Sequence, residues 1–84
     1  MHRAARRFWR CYHDLPPEVQ KLADEKFDLL NNDHSHPSLH FKKVGKVWAV
    51  RVGRGHRALA FHDGEDYLWF WIGGHDKYER IIQA

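Results

Sequence analysis

The segment Val47 to Ile82, "VWAVRVGRGHRALAFHDGEDYLWFWIGGHDKYERII", sets the architecture of this chain. β-Branched and aromatic residues alternate along it. They are interrupted at "GRG" (Gly53 to Gly55) and "DGED" (Asp63 to Asp66), so the segment reads as strands joined by tight turns. Connections this short join only antiparallel neighbours, which makes a meander the simplest topology. Strands are expected at Lys46 to Val52, His56 to His62 and Tyr67 to Ile72, with an earlier one at Leu39 to Val44 closed by Gly45. Beyond them, Asp76 to Ile82 is expected to form one or two helical turns anchored by Tyr78, Ile81 and Ile82.

Upstream the period changes from two to that of a helix. Phe8, Cys11, Tyr12 and Leu15 recur at helical spacing between about Ala4 and Asp14, with Arg6, Arg7 and Arg10 around the rest of the circumference. Pro16 and Pro17 stop this helix and start another, because proline tolerates the first helical turn, where its missing N–H has no partner to lose. Val19, Leu22, Ala23, Phe27 and Leu30 mark the inner face of the second helix, and Asp24, Glu25 and Asp28 are most simply its solvent face. "NNDHSHP" ends it, since Asn and Asp compete for backbone hydrogen bonds and Pro37 forbids continuation. The expectation is one α+β domain over residues 1–84: a helical hairpin on a small antiparallel sheet of three to four strands, with a short C-terminal helix.

A chain of 84 residues buries one modest core, so any active site should be a shallow surface groove. Fourteen Lys and Arg against eleven Asp and Glu, with an isoelectric point near 9.2, favour a polyanionic partner. Cys11, the one cysteine, cannot form an internal disulfide, and His13 two residues on lies off its helical face and makes a poor nucleophile partner. No apolar run approaches the ~20 residues that span a bilayer, and "MHRAARRFW" lacks the apolar core of a signal peptide, so a cytoplasmic protein with no membrane partner is expected. Phosphate-loop, dinucleotide and serine-nucleophile motifs are absent. His34, His36 and His40 invite a metal reading, but the loop holds no cysteine and no second ligand cluster at a recognised spacing; neither metal nor cofactor is expected.

Strand alternation sorts the remaining candidates. In "KVWAVRV", Trp48, Val50 and Val52 point to one face, and Ala49 and Arg51 to the other. Arg57 opens the next strand across a tight hairpin, so the two guanidinium groups can converge, an arrangement that favours an anion between them. Two solvated arginines on an open sheet are the plainer reading. His75 follows Gly73 and Gly74 at the exit of the last strand, where imidazole can transfer a proton near neutral pH or merely begin a helix. Tyr78, three residues on, shares its helical face as an aromatic anchor or a stacking group. In "YLWFWIG", alternation puts Tyr67, Trp69 and Trp71 on one face and Leu68, Phe70 and Ile72 on the other. Lys42, Lys43, Lys46 and Arg54 are candidates for an electrostatic approach surface for RNA, or for an ordinary solvated edge.

In order and spacing, "LPPEVQ", "HPSLHFKKVG", "VRVGRGHRALAF" and "WFWIGGHDKYERI" resemble the RelE/ParE superfamily of toxins from bacterial type II toxin–antitoxin systems, in particular its RelE-like and HigB-like branches. The resemblance covers nearly the whole chain. It implies an mRNA endoribonuclease, often ribosome-dependent, neutralised by a cognate antitoxin. It also implies roles: Arg57 matches the arginine of the family's "YR" strand at the scissile phosphate, and Arg51 a basic position on the preceding strand. His75 matches the catalytic position after the strand, and Tyr78 the aromatic of an "H-x-x-Y" form. The reaction implied is metal-independent attack of a 2′-hydroxyl on the adjacent phosphorus. Two departures stand beside it: no strand is expected ahead of the first helix, and the basic surface is sparser than in the strongest toxins. The superfamily also holds gyrase-directed ParE-like toxins, and a module that only binds an antitoxin is a further alternative.

Overall fold

The computed structural model describes residues 1–83; Ala84, the last residue of the expected domain, lies outside the described residues. Strand β1 is His2–Ala4, followed by helices α1 (Arg6–His13) and α2 (Pro17–Asp33). A 3₁₀ turn at Pro37–Leu39 leads to β2 (Lys42–Val44), β3 (Val47–Val52), β4 (His56–Asp63), β5 (Asp66–Gly74) and helix α3 (His75–Gln83). The α+β architecture is as the residue pattern implies, but the sheet has five strands in the order β1-β5-β4-β3-β2. β2 to β5 form the antiparallel meander, and β1 adds to β5 in parallel.

The N-terminal strand corrects the expectation that none precedes α1. "HRA" has neither strand propensity nor length, and its place is decided by contacts from the far end of the chain. The backbone N–H of Ala5 donates to Trp69 O at 2.8 Å, and that of Tyr67 to Met1 O at 2.9 Å. The buried His2 ring accepts at Nδ1 from Trp69 Nε1 at 3.0 Å and stacks on Tyr67 at 5.0 Å between centroids.

Helix α1 starts two residues later than the sequence implies, and α2 starts with Pro17 in its first turn. The side-chain amide of Gln20 donates to Tyr12 O at 3.1 Å, satisfying a carbonyl at the end of α1 and tying the two helices at the corner. The residues expected to begin the first long strand behave differently: Leu39 closes the 3₁₀ turn and is fully buried, and His40 adopts a left-handed φ of 47°.

The sheet is covered on both faces. Phe8, Val19, Ala23 and Leu30 from the helical hairpin pack on Val50, Val52, Ala58, Ala60, Trp69 and Ile72. On the other face α3 brings Tyr78 onto Ala49, Leu59 and Trp71. The simple alternation of β5 therefore fails. Leu59 pairs with Trp71 and Ala60 with Trp69, leaving Phe70 as the extra residue of a β-bulge. One unpaired residue reverses the face of all that follow, so Trp69 and Ile72 point to the helical hairpin and Trp71 to α3.

Two glycines position what comes next. Gly53 turns β3 into β4 with φ of 67°, where an L-residue is strained. At Gly73 a Cβ would sit 2.5 Å from the Trp71 ring, so this residue makes room for an indole rather than for a substrate.

Candidate active site: a cationic groove beside the terminal helix

Arg51 and Arg57 lie directly opposite each other on β3 and β4, so both side chains leave the sheet on the α3 face. Like charges in that register repel, and neither guanidinium has a carboxylate within 4.0 Å among the described residues. Backbone carbonyls hold them instead. Arg51 Nε donates to Gly53 O at 3.2 Å, and Arg57 Nη1 to His56 O at 2.8 Å. The Arg57 guanidinium also faces the Tyr78 ring, 6.0 Å from its centroid, a cation–π arrangement that orients the fork.

Helix α3 begins at His75 because β5 ends there, its backbone N–H donating to Gly55 O at 2.8 Å. That bond pins the helix start to the β3–β4 turn and carries the imidazole to the rim of the arginine pair. The His75 ring tilts against Tyr78 at 5.7 Å, and its Nε2 lies 3.3 Å from Glu79 Oε1 one helical turn on. A carboxylate at Nε2 favours the tautomer protonated there, which leaves the lone pair on Nδ1.

Arg51, Arg57, His75, Tyr78 and Glu79 line one groove of about 310 Å³, together with His40, Lys42 and the apolar floor of Val44, Ala49 and Ile82. The four residues singled out for catalysis are thus neighbours. The basic candidates divide: Lys42 faces the groove opposite Ala49, whereas Lys43 pairs with Trp48 and points to the other face. Lys46 lies exposed in the β2–β3 turn, beyond the groove lining. Arg54 lines an adjoining cavity of about 320 Å³ with Lys26 and Ser38, and this cavity shares His40 and Arg51 with the first. A continuous basic track from Lys42 past Arg51 to Arg54 results.

His40, Glu79 and Lys26 belong to this surface and were not singled out for it from sequence. The i, i+4 spacing of His75 and Glu79 is a readable signal; the left-handed turn at His40 and the approach of Lys26 from α2 are not. His34, His36 and His40 go separate ways. His34 approaches the His2 ring at 6.3 Å, His36 Nδ1 accepts from Ser38 N at 3.2 Å, and His40 enters the groove. Among the described residues no group of three His, Cys, Asp or Glu is placed to share a metal ion, and no helix is long and apolar enough to cross a membrane.

A helical hairpin on one face of this sheet order, with a terminal helix flanking a basic groove on the other, is a RelE-like fold. It is similar to a chain of the RelB–RelE antitoxin–toxin complex from Methanococcus jannaschii, with a TM-score of 0.75 and 16% identity over 94% of this chain and 96% of that one. A chain of the RelBE2 toxin–antitoxin complex from Mycobacterium tuberculosis is similar with a TM-score of 0.65 and 18% identity, over 89% of this chain and 96% of that one. No family model and no curated protein sequence matches. At these identities the likeness is one of fold.

Proposed function

We propose that this chain is the toxin of a type II toxin–antitoxin pair and that its groove cleaves mRNA, on the ribosome, without a metal cofactor. The observation that carries this reading is the convergence of two arginines with no ion-pair partner among the described residues, a histidine and a tyrosine in one open groove. Two like charges held opposite each other by backbone carbonyls cost stability unless an anion lies between them, and a phosphodiester is an anion whose oxygens fit forked donors. The fold shared with chains of two toxin–antitoxin complexes supports the toxin role and a cognate antitoxin as partner.

In the reaction, the 2′-oxygen forms a bond to phosphorus as the bond from phosphorus to the 5′-oxygen breaks. The products are a 2′,3′-cyclic phosphate and a 5′-hydroxyl. His75 takes the 2′-hydroxyl proton through Nδ1, with Glu79 holding the ring by Nε2; water protonates the leaving 5′-oxygen, and His75 then returns its proton to the hydroxide so formed. Arg57 and Arg51 stabilise the extra negative charge of the phosphorane. Tyr78 braces both His75 and Arg57, and Lys42, Lys43, Lys46 and Arg54 act at longer range by attracting RNA.

The test is to add the protein to ribosomes translating a defined message and map the new ends. Cuts ending in a 2′,3′-cyclic phosphate, formed equally with EDTA-treated protein, support the proposal. Intact message in cells arrested by the protein would replace it with a target other than RNA.

A further inference from the structure

On the opposite side of the sheet, the outer seam between α1 and α2 opens into a cavity of about 210 Å³ of contrary character. Its walls are the rings of Phe8, Trp9, Tyr12 and Phe27 and the carboxylates of Asp24 and Asp28. Trp9 is 44% exposed, an unusual position for the largest apolar side chain, and meets Tyr12 edge to face at 5.3 Å. The Tyr12 hydroxyl donates to Asp24 Oδ1 at 2.8 Å, which fixes one carboxylate against the aromatic wall and raises the phenol's pKa.

The charges here are unbalanced. Asp24 and Asp28 sit one turn apart on α2, where like charges repel. No Lys, Arg or His nitrogen lies within 4.0 Å of either carboxylate among the described residues. This occurs in a chain of net charge +3 whose α1 carries Arg6, Arg7 and Arg10, none of which lines the cavity. An electron-rich aromatic wall next to two unneutralised carboxylates is complementary to one kind of group, a planar cation that stacks on a ring and donates to oxygen at its edge.

We infer that the α1–α2 seam is a receptor for an arginine side chain presented by a partner protein, with Trp9 as the stacking surface and Asp24 and Asp28 as the acceptors. The seam lies across the sheet from the basic groove, so this inference does not depend on RNA cleavage. A lysine would satisfy the charge but not the stacking and forked geometry.

The experiment follows the Trp9 indole N–H and the α2 amides by ¹H–¹⁵N NMR during titration of the whole chain with N-acetyl-arginine amide. N-acetyl-citrulline amide is the neutral, nearly isosteric control, and N-acetyl-lysine amide a second cation. Saturable shifts with arginine are expected, with citrulline at least about fivefold weaker and lysine intermediate. The double variant Asp24→Asn/Asp28→Asn, altered only at exposed positions, should lose the preference for arginine over citrulline. Trp9→Leu should weaken arginine while leaving the rest of the spectrum in place. Equal binding of arginine and citrulline, shifts that survive both variants, or no saturable shift would overturn the assignment. A concentration-dependent dimer abolished by the double Asn variant would also overturn it, by putting the chain's own Arg6, Arg7 or Arg10 in the seam.

Discussion

The two faces of the sheet are built on opposite rules. Against the helical hairpin even a histidine is held neutral: His2 is desolvated, lies near the N-terminal ammonium and His34, and its pKa falls to about 4. Against α3 the sheet sets two arginines side by side with no carboxylate within 4.0 Å among the described residues and leaves a groove open above them. A face optimised for stability removes or neutralises charge, whereas like charges held side by side give up some stability. Substitutions in the core under the helical hairpin should therefore act on folding, and those at the arginine pair and His75 on chemistry.

The largest effect is expected at the groove. His75→Gln keeps size and hydrogen bonding but removes the ring nitrogen that takes up the proton, so single-turnover cleavage on programmed ribosomes should slow by roughly 10²–10⁴-fold. Its denaturant midpoint should stay within about 0.5 kcal/mol of the parent, because the His75–Glu79 contact is some 40% exposed at both ends. A His75→Gln protein that cuts at the parental rate would take His75 out of the mechanism.

Trp69→Ala is the converse change. Trp69 is 1% exposed, and losing it leaves a core cavity and deprives the His2 ring of its donor, for a loss of about 3–5 kcal/mol. Urea unfolding measures this, and a loss below about 1 kcal/mol would show that the helix-side core does not carry the fold.

The histidine in that core sharpens the contrast through pH. Its folded pKa lies below the unfolded value of 6.5, so the unfolded chain binds the extra proton more readily between pH 6.5 and 4. The stabilisation is complete above about pH 6.5 and declines as pH falls towards 4, by about 3 kcal/mol in all. His2→Asn retains an acceptor for Trp69 without titrating in this range. It should flatten the pH profile of the unfolding midpoint; an unchanged slope would take the acid sensitivity away from His2.

The smallest expected difference lies within one short strand. Lys42→Ala should weaken RNA binding a few-fold and reduce its salt dependence, whereas Lys43→Ala, one residue along and on the other face, should do less of both. Equal effects would mean that RNA approaches along the sheet edge rather than through the groove.

Much of this was legible from local pattern. The helix breaks at Pro16 and Pro17, the turn at Gly53, and the two faces of Val47–Val52 depend on residues near in sequence, and so does the placement of Arg51 across from Arg57 by a tight hairpin. A period of two and a two-proline corner are consequences of φ/ψ sterics and side-chain geometry, which any segment carries with it.

Tertiary structure decided the rest. Whether "HRA" is a strand depends on Trp69, 67 residues from His2, and local propensity holds no trace of that distance. The bulge at Phe70 sends Trp69 and Trp71 to opposite faces because each indole finds its own cluster, and one extra residue in a ladder costs less than exposing either ring. His40 and Lys26 reach the basic track from elements whose docking angles are set by the core beneath them. The carboxylates of Asp24 and Asp28 read as an ordinary solvent face until α1 laid Trp9 and Tyr12 against them. Local sequence specifies which residues share a face; only the packing of distant faces, driven by burial of apolar surface, specifies what each face meets.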